Sequence, residues 1–255
     1  MTGGPRRQDT LRRWDVAAGN FFFKHRNALF PGLFVMVALV GRPRVIGGPR
    51  LDRLLTTAGV LIALAGQGLR LLTIGYEYIE RGGKEGKVYA SRLVVGGVYA
   101  LTRNPMYLGN MLIAVGMTMV SGAPSVYLIV LPFFLLVYQA IIAAEEAYLR
   151  GRFGSDYEAY CASVPRVIPS WRRIGSSLAG RPHDWRRAFR RDLSTMAGLL
   201  TGLLLLPVWR MLFLKGFAAA QAEAPPMLAL EVVVLIAYGV LIYMKKRRWL
   251  FYLPE

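Results

Sequence analysis

The sequence predicts an all-α, polytopic transmembrane helix bundle of about six spans with a cytoplasmic helical cap. Two observations carry this. Hydrophobic residues make up 55% of the 255 and charged residues only 18%, against roughly 25% charged in a soluble domain. The apolar residues also fall in blocks, several approaching the roughly 20 residues that cross a bilayer core. Those blocks are too long and too uniform for barrel strands, so the backbone must satisfy its polar groups within helices.

Taken in order, the chain begins with a basic stretch and an interfacial helix around residues 11–20. Phe21-Phe22-Phe23 beside Lys24-His25-Arg26 suits the headgroup layer. A short first span is predicted over 27–41 and a second over Leu54–Tyr76. The third starts at Pro105 and stops near Ser121, where Gly122-Ala123-Pro124 turns the chain. The fourth runs from Ser125 to about Glu146 and continues as an amphipathic helix to Arg152. Ser155 and Glu158 are spaced as a capping box and open a short cap helix that Val164-Pro165-Arg166 ends. The fifth and sixth spans are Leu193–Leu214 and Pro226–Met244. Three units follow: a basic N-terminal segment with the first span (1–53), a core (54–176), and a linker with a C-terminal hairpin (177–255).

The net charge of +17 comes almost entirely from Arg flanking the apolar blocks. In a soluble chain this would suggest nucleic acid. Here it is the pattern of cytoplasmic loops and of contact with anionic lipid headgroups, and nucleic acid is not an expected partner. Segments 77–104, 147–192 and the C-terminus are cation-rich and are placed in the cytoplasm, which suggests a cell inner membrane. Arg42, Arg44, Arg50 and Arg53 then lie outside, against the rule. One cysteine (Cys161) and two histidines (His25 and His183) exclude a disulfide and argue against a metal site. Gly82-Gly83-Lys84-Glu85-Gly86-Lys87 is not a phosphate loop, because Arg81 stands where Gly is required and Val88 follows the Lys.

The chemistry-bearing residues cluster at span ends. Thr102-Arg103-Asn104-Pro105 reads as a helix start, with Asn at the N-cap and Pro in the first turn. That end attracts anions, and Arg103 adds a bidentate donor. Glu145-Glu146 ends the fourth span, where two carboxylates oppose the helix dipole and call for a cation. Such a pair suits an ammonium or sulfonium ligand. Both motifs also have plainer readings, as a helix cap with a snorkelling Arg and as a solvated helix end. Gly66-Gln67-Gly68 and Arg70 interrupt the second span. The glycines allow close helix approach, while Gln67 and Arg70 at that depth should face protein or a cavity.

These residues together resemble the integral-membrane methyltransferases of the isoprenylcysteine carboxyl methyltransferase and phospholipid N-methyltransferase type. The shared pattern reads Leu93-Val94, Gly97-Val98-Tyr99, Arg103-Asn104-Pro105-Met106-Tyr107-Leu108-Gly109, then Glu145-Glu146-Ala147-Tyr148-Leu149, Phe153-Gly154, Tyr157 and Val164-Pro165-Arg166. It covers roughly residues 55–170. The resemblance implies S-adenosylmethionine as methyl donor and a membrane lipid or lipidated acceptor. By carry-over, Arg103, Asn104, Tyr107, Glu145, Glu146 and Tyr99 would line the donor pocket, with Gly66 and Gly68 allowing close approach. Gln67, Arg70 and Arg166 are candidates for the acceptor. Asn104 replaces the usual His, so no general base is assigned. A sterol-type membrane reductase using NADPH has a related pattern, matched in part by Leu108-Gly109-Asn110 and Tyr160-Cys161. A non-catalytic membrane scaffold is the third reading.

Overall fold

The computed structural model describes residues 7–77 and 88–249, without the side chains of 7–15, 26–31, 33 and 34. The Gly82–Lys87 segment lies outside the described residues. Eight α-helices carry the fold: α1 (Arg7–Val40), α2 (Pro49–Tyr76), α3 (Pro105–Ser121), α4 (Leu131–Ser163), α5 (Ile174–Leu178), α6 (Trp185–Lys215), α7 (Phe217–Glu223) and α8 (Pro225–Lys246). A π-helical turn, Val126–Val130, leads into α4. No strand occurs among the described residues.

Four segments are long and apolar enough to cross a bilayer: α2, the π turn with α4, α6 and α8. At about 1.5 Å per residue, the 17 residues of α3 rise about 25 Å, slightly under the hydrocarbon thickness. The N-terminal expectation is corrected. One continuous helix runs from Arg7 to Val40 where an interfacial helix and a separate short span were predicted. Its residues carry no internal proline before Pro31 and no glycine pair to break it.

The tightest seam joins α2 to α3, and small residues make it. A Cβ on Gly66 would stand 2.6 Å from the Gly109 carbonyl oxygen and 2.9 Å from the Ile113 amide; one on Gly59 would stand 2.7 Å from the Gly116 carbonyl oxygen. Backbone therefore packs directly on backbone, the arrangement that favours helix association in lipid. Gly66→Ala should lower stability by about 1–3 kcal/mol through overpacking. A depressed melting temperature in detergent, with ligand affinity unchanged in the folded fraction, is the expected result.

Two polar layers tie the bundle. Near the end where α2 stops and α6 starts, Arg70 pairs with Asp192, both buried. Arg70 Nε donates to Asp192 Oδ2 at 3.0 Å, Arg70 Nη2 to Thr195 Oγ1 at 2.9 Å, and Gln67 Nε2 to Asp192 Oδ2 at 2.7 Å. Beside it, Arg187 donates to the carbonyls of Ile74 (3.0 Å) and Gly75 (2.6 Å), capping the exposed end of α2. At the opposite end Arg210 of α6 pairs with Asp52 and donates to Thr56 Oγ1 at 3.0 Å. Arg42 is committed to the carbonyls of Leu39 (3.1 Å) and Gly41 (2.8 Å) at the end of α1. Two of the cations at this end are thereby spent on backbone and carboxylate partners.

The predicted turn at Gly122 forms. Gly122 ends α3 in the left-handed region at φ 58°, which an L side chain rarely adopts, and its amide reaches Met119 O. The predicted break after Arg152 forms within the Leu131–Ser163 segment. Gly154 (φ 49°, ψ −122°) kinks it, and the expected cap helix follows as its last part, through Ser163.

Candidate active site

The segment before α3 and the segment after α4 are stitched together. Arg103 N donates to Pro165 O (2.9 Å), Ser170 N to Leu101 O (2.9 Å), Thr102 Oγ1 to Val167 O (2.9 Å) and Tyr160 OH to Tyr99 O (2.7 Å). Tyr157, Tyr160 and Val164 form a buried cluster with Leu93, Leu149 and Phe153 beneath this cap. The two halves of the motif, far apart in sequence, are thus held face to face.

Between them lie the charged groups. Arg103 Nη1 stands 3.4 Å from Glu146 Oε1 and donates to Cys161 Sγ at 2.6 Å. Arg166 Nε reaches Glu146 Oε2 at 3.1 Å from the other side. Glu146, inside α4 and not at its end, therefore sits between two guanidiniums, which offset the cost of enclosing its carboxylate. Burial lowers the Arg103 pKa, but Glu146, then Cys161 and Tyr157, outweigh it and leave that pKa raised, so the cation is secure. One turn into α3, Tyr107 OH donates to Glu145 Oε1 at 2.5 Å.

These groups line one cavity of about 1420 Å³. Arg103, Asn104, Tyr107, Tyr99, Glu145 and Glu146 lie on its wall at the α3 N-terminal end. Arg70, Asn110, Tyr138 and Asp192 follow at mid-length. There Asn110 Nδ2 donates to Tyr138 OH at 2.8 Å and Asn110 Oδ1 accepts from Arg70. Ile113, Ala114, Met117, Val130, Phe134 and Leu206 line the remainder.

Not every residue singled out in the sequence reaches this cavity. Asn104 occupies the N-cap position, but its side chain accepts no helix amide; its Nδ2 donates to Arg166 O at 2.9 Å. Gly66 faces α3 and Gly68 meets no neighbouring atom within 4 Å; neither lines the cavity. Gln67 is turned onto Asp192 and also lies off the wall. Arg166 contacts Glu146 from behind the wall, so of the three acceptor candidates only Arg70 reaches the cavity. Asp192 and Cys161 were missed. Arg70 in an apolar span was itself the signal that a buried acid must exist, and Asp192 is the acid at the start of the fifth apolar block. No cluster of residues fit to hold a metal occurs among the described residues.

Residues 55–156 match the phospholipid methyltransferase family. Likeness to this family is confined to that segment, which holds α2 from residue 55, α3 and most of α4. It is 39% identical over 80 residues to the protein-S-isoprenylcysteine O-methyltransferase of Schizosaccharomyces pombe, an alignment covering 30% of this chain and 33% of that one. The chain therefore matches about a third of that enzyme's length. It is also 27% identical over 157 residues to the cobalt-zinc-cadmium resistance protein CzcN of Cupriavidus metallidurans, covering 60% of this chain and 68% of that one. An uncharacterized protein of Haemophilus influenzae aligns over its whole length with 25% of this chain, at 39% identity. No solved structure shows significant similarity to the chain. The matched family segment contains the Arg103 and Glu145-Glu146 motifs but ends before Tyr157, Asp192 and all of α6.

Proposed function

We propose that this protein transfers a methyl group from S-adenosylmethionine to the carboxylate or amine head of a lipid or lipidated acceptor, at the cytoplasmic face of the inner membrane. The observation that carries the reading is the meeting of Arg103 with Glu146, and of Tyr107 with Glu145, on one wall of a cavity that continues into an apolar arm.

The residues present suit the donor's chemistry. Glu145 and Glu146 offer negative charge to its ammonium group. Arg103 and the start of α3, whose N-cap side chain is engaged elsewhere, offer positive potential to its carboxylate. When bound, the donor supplies an electrophilic methyl carbon on a sulfonium centre. The protein's own part is positioning and exclusion of water. The cap stitched by Tyr160, Thr102 and Arg103 closes the polar end. Arg70, held by Asp192, together with Asn110 and Tyr138 forms a fixed polar ring where the acceptor's head would stop. The cytoplasmic placement rests on the exposed Arg172, Arg173 and Arg186 at this end, a surface suited to anionic headgroups.

A thermal-shift comparison tests the reading. S-adenosylhomocysteine should raise the melting temperature of the detergent-solubilised protein and NADPH should not, because a ligand that binds only the folded state stabilises it. Stabilisation by NADPH alone would replace the methyltransferase reading with a reductase one.

A further inference from the structure

The cavity is longer than the polar chemistry requires. Asn104, at the N-cap of α3, and Tyr107, Asn110, Ala114, Met117 and Ser121 within it all line the cavity. Steps of three and four residues place them on a single helix face. The cavity therefore follows α3 for its full length, about 25 Å. Its 1420 Å³ also exceeds the roughly 300–1,000 Å³ of a small-ligand pocket. Beyond the ring of Arg70, Asn110 and Tyr138 the walls turn mostly apolar, with Phe134 of α4, Val130 of the π turn, and Leu199 and Leu206 of α6, and with Thr118 and Ser121 as polar exceptions on α3. An apolar space of this kind stays dry and takes apolar ligands.

Met117 stands two helical turns past Asn110, about 10 Å into this arm. Its position is set by a notch in α6. A Cβ at Gly202 would collide with Met117 Cε, so the thioether tip rests on bare α6 backbone. Gly202 is buried. It belongs to a helix outside the matched family segment.

We propose that the arm holds a hydrocarbon chain of the acceptor lengthwise, and that Met117, seated in the Gly202 notch, sets how long a chain fits. The proposal rests on the lipid-acceptor reading above. Its mechanics are steric. Removing the thioether joins the space on both sides of residue 117. Filling the notch drives the flexible Met117 side chain into the arm.

The test is native mass spectrometry of the purified full chain, titrated with straight-chain alcohols of graded length. Wild-type affinity should rise about fourfold per methylene and then level off at a defined length. Met117→Ala should move that limit to longer chains, and Gly202→Ala to shorter ones. The double variant Met117→Ala/Gly202→Ala should return to long chains, since no thioether remains to be displaced. This also guards against Gly202→Ala failing to fold. An unchanged limit in Met117→Ala and the double variant, or the absence of any limit, overturns the proposal. S-adenosylhomocysteine binding measured on the same samples separates the two readings. A Met117-dependent limit without that binding refutes the methyl donor but not the arm; binding without a shift in limit overturns this proposal and leaves the methyl-donor reading standing.

Discussion

Asp192→Ala should destabilise the protein by about 3–5 kcal/mol, the usual cost of removing one partner from a buried ion pair. Arg70 and Asp192 have side-chain exposures of 5% and 1%. Without the acid, the Arg70 guanidinium keeps only the neutral oxygens of Asn110 and Thr195 at membrane depth, and Gln67 loses its acceptor as well. Asp192→Asn should lose less, because it keeps an acceptor in place. A joint Arg70→Met/Asp192→Leu replacement should recover much of the loss, since apolar substitution of a whole buried pair is often neutral. Melting temperatures in detergent read all three. If Asp192→Ala melts with the wild type, this pair does not tie α2 to α6.

Arg103→Ala and Glu146→Ala should each weaken S-adenosylhomocysteine binding by about 10- to 100-fold, the value of a charge-assisted hydrogen bond lost from a partly enclosed site. The raised pKa of Arg103 keeps it charged throughout the usable pH range, so the loss should not vary between mildly acid and mildly alkaline buffers. Arg166→Ala is the informative companion. Arg166 contacts Glu146 without lining the cavity. Its removal should cost less than removal of Arg103, acting only through the carboxylate it orients. Calorimetric titration distinguishes the three. Wild-type affinity in both Arg103→Ala and Glu146→Ala would place the donor elsewhere.

Much of the helical layout was legible, because apolar blocks and proline–glycine punctuation are local signals. Pro105 and Gly122 bound α3 as predicted. Glu145 and Glu146 were legible as candidates because two adjacent acids at the edge of an apolar block demand a cation, although α4 continues past them. Which cations answer them was not, since Arg103 and Arg166 meet Glu146 only through the stitching of residues 99–104 to 160–170. Asp192 hid for the same reason: its partner Arg70 is 122 residues away. Asn104 misled, because a good N-cap residue found a competing tertiary acceptor in Arg166 O. The glycines of α2 were legible as packing residues, yet the family resemblance drew Gly66 and Gly68 toward the ligand.

The bare-backbone contact of α2 with α3 has a mechanical consequence. Nothing flexible lies between Gly59 and Gly116 or between Gly66 and Gly109, so these two helices act as one stiff plank. A bulky guest entering sideways from the bilayer cannot prise them apart. An acceptor entering sideways, as the proposed function requires, would have to pass along the flank built by α4 and α6, which supplies the rest of the cavity wall.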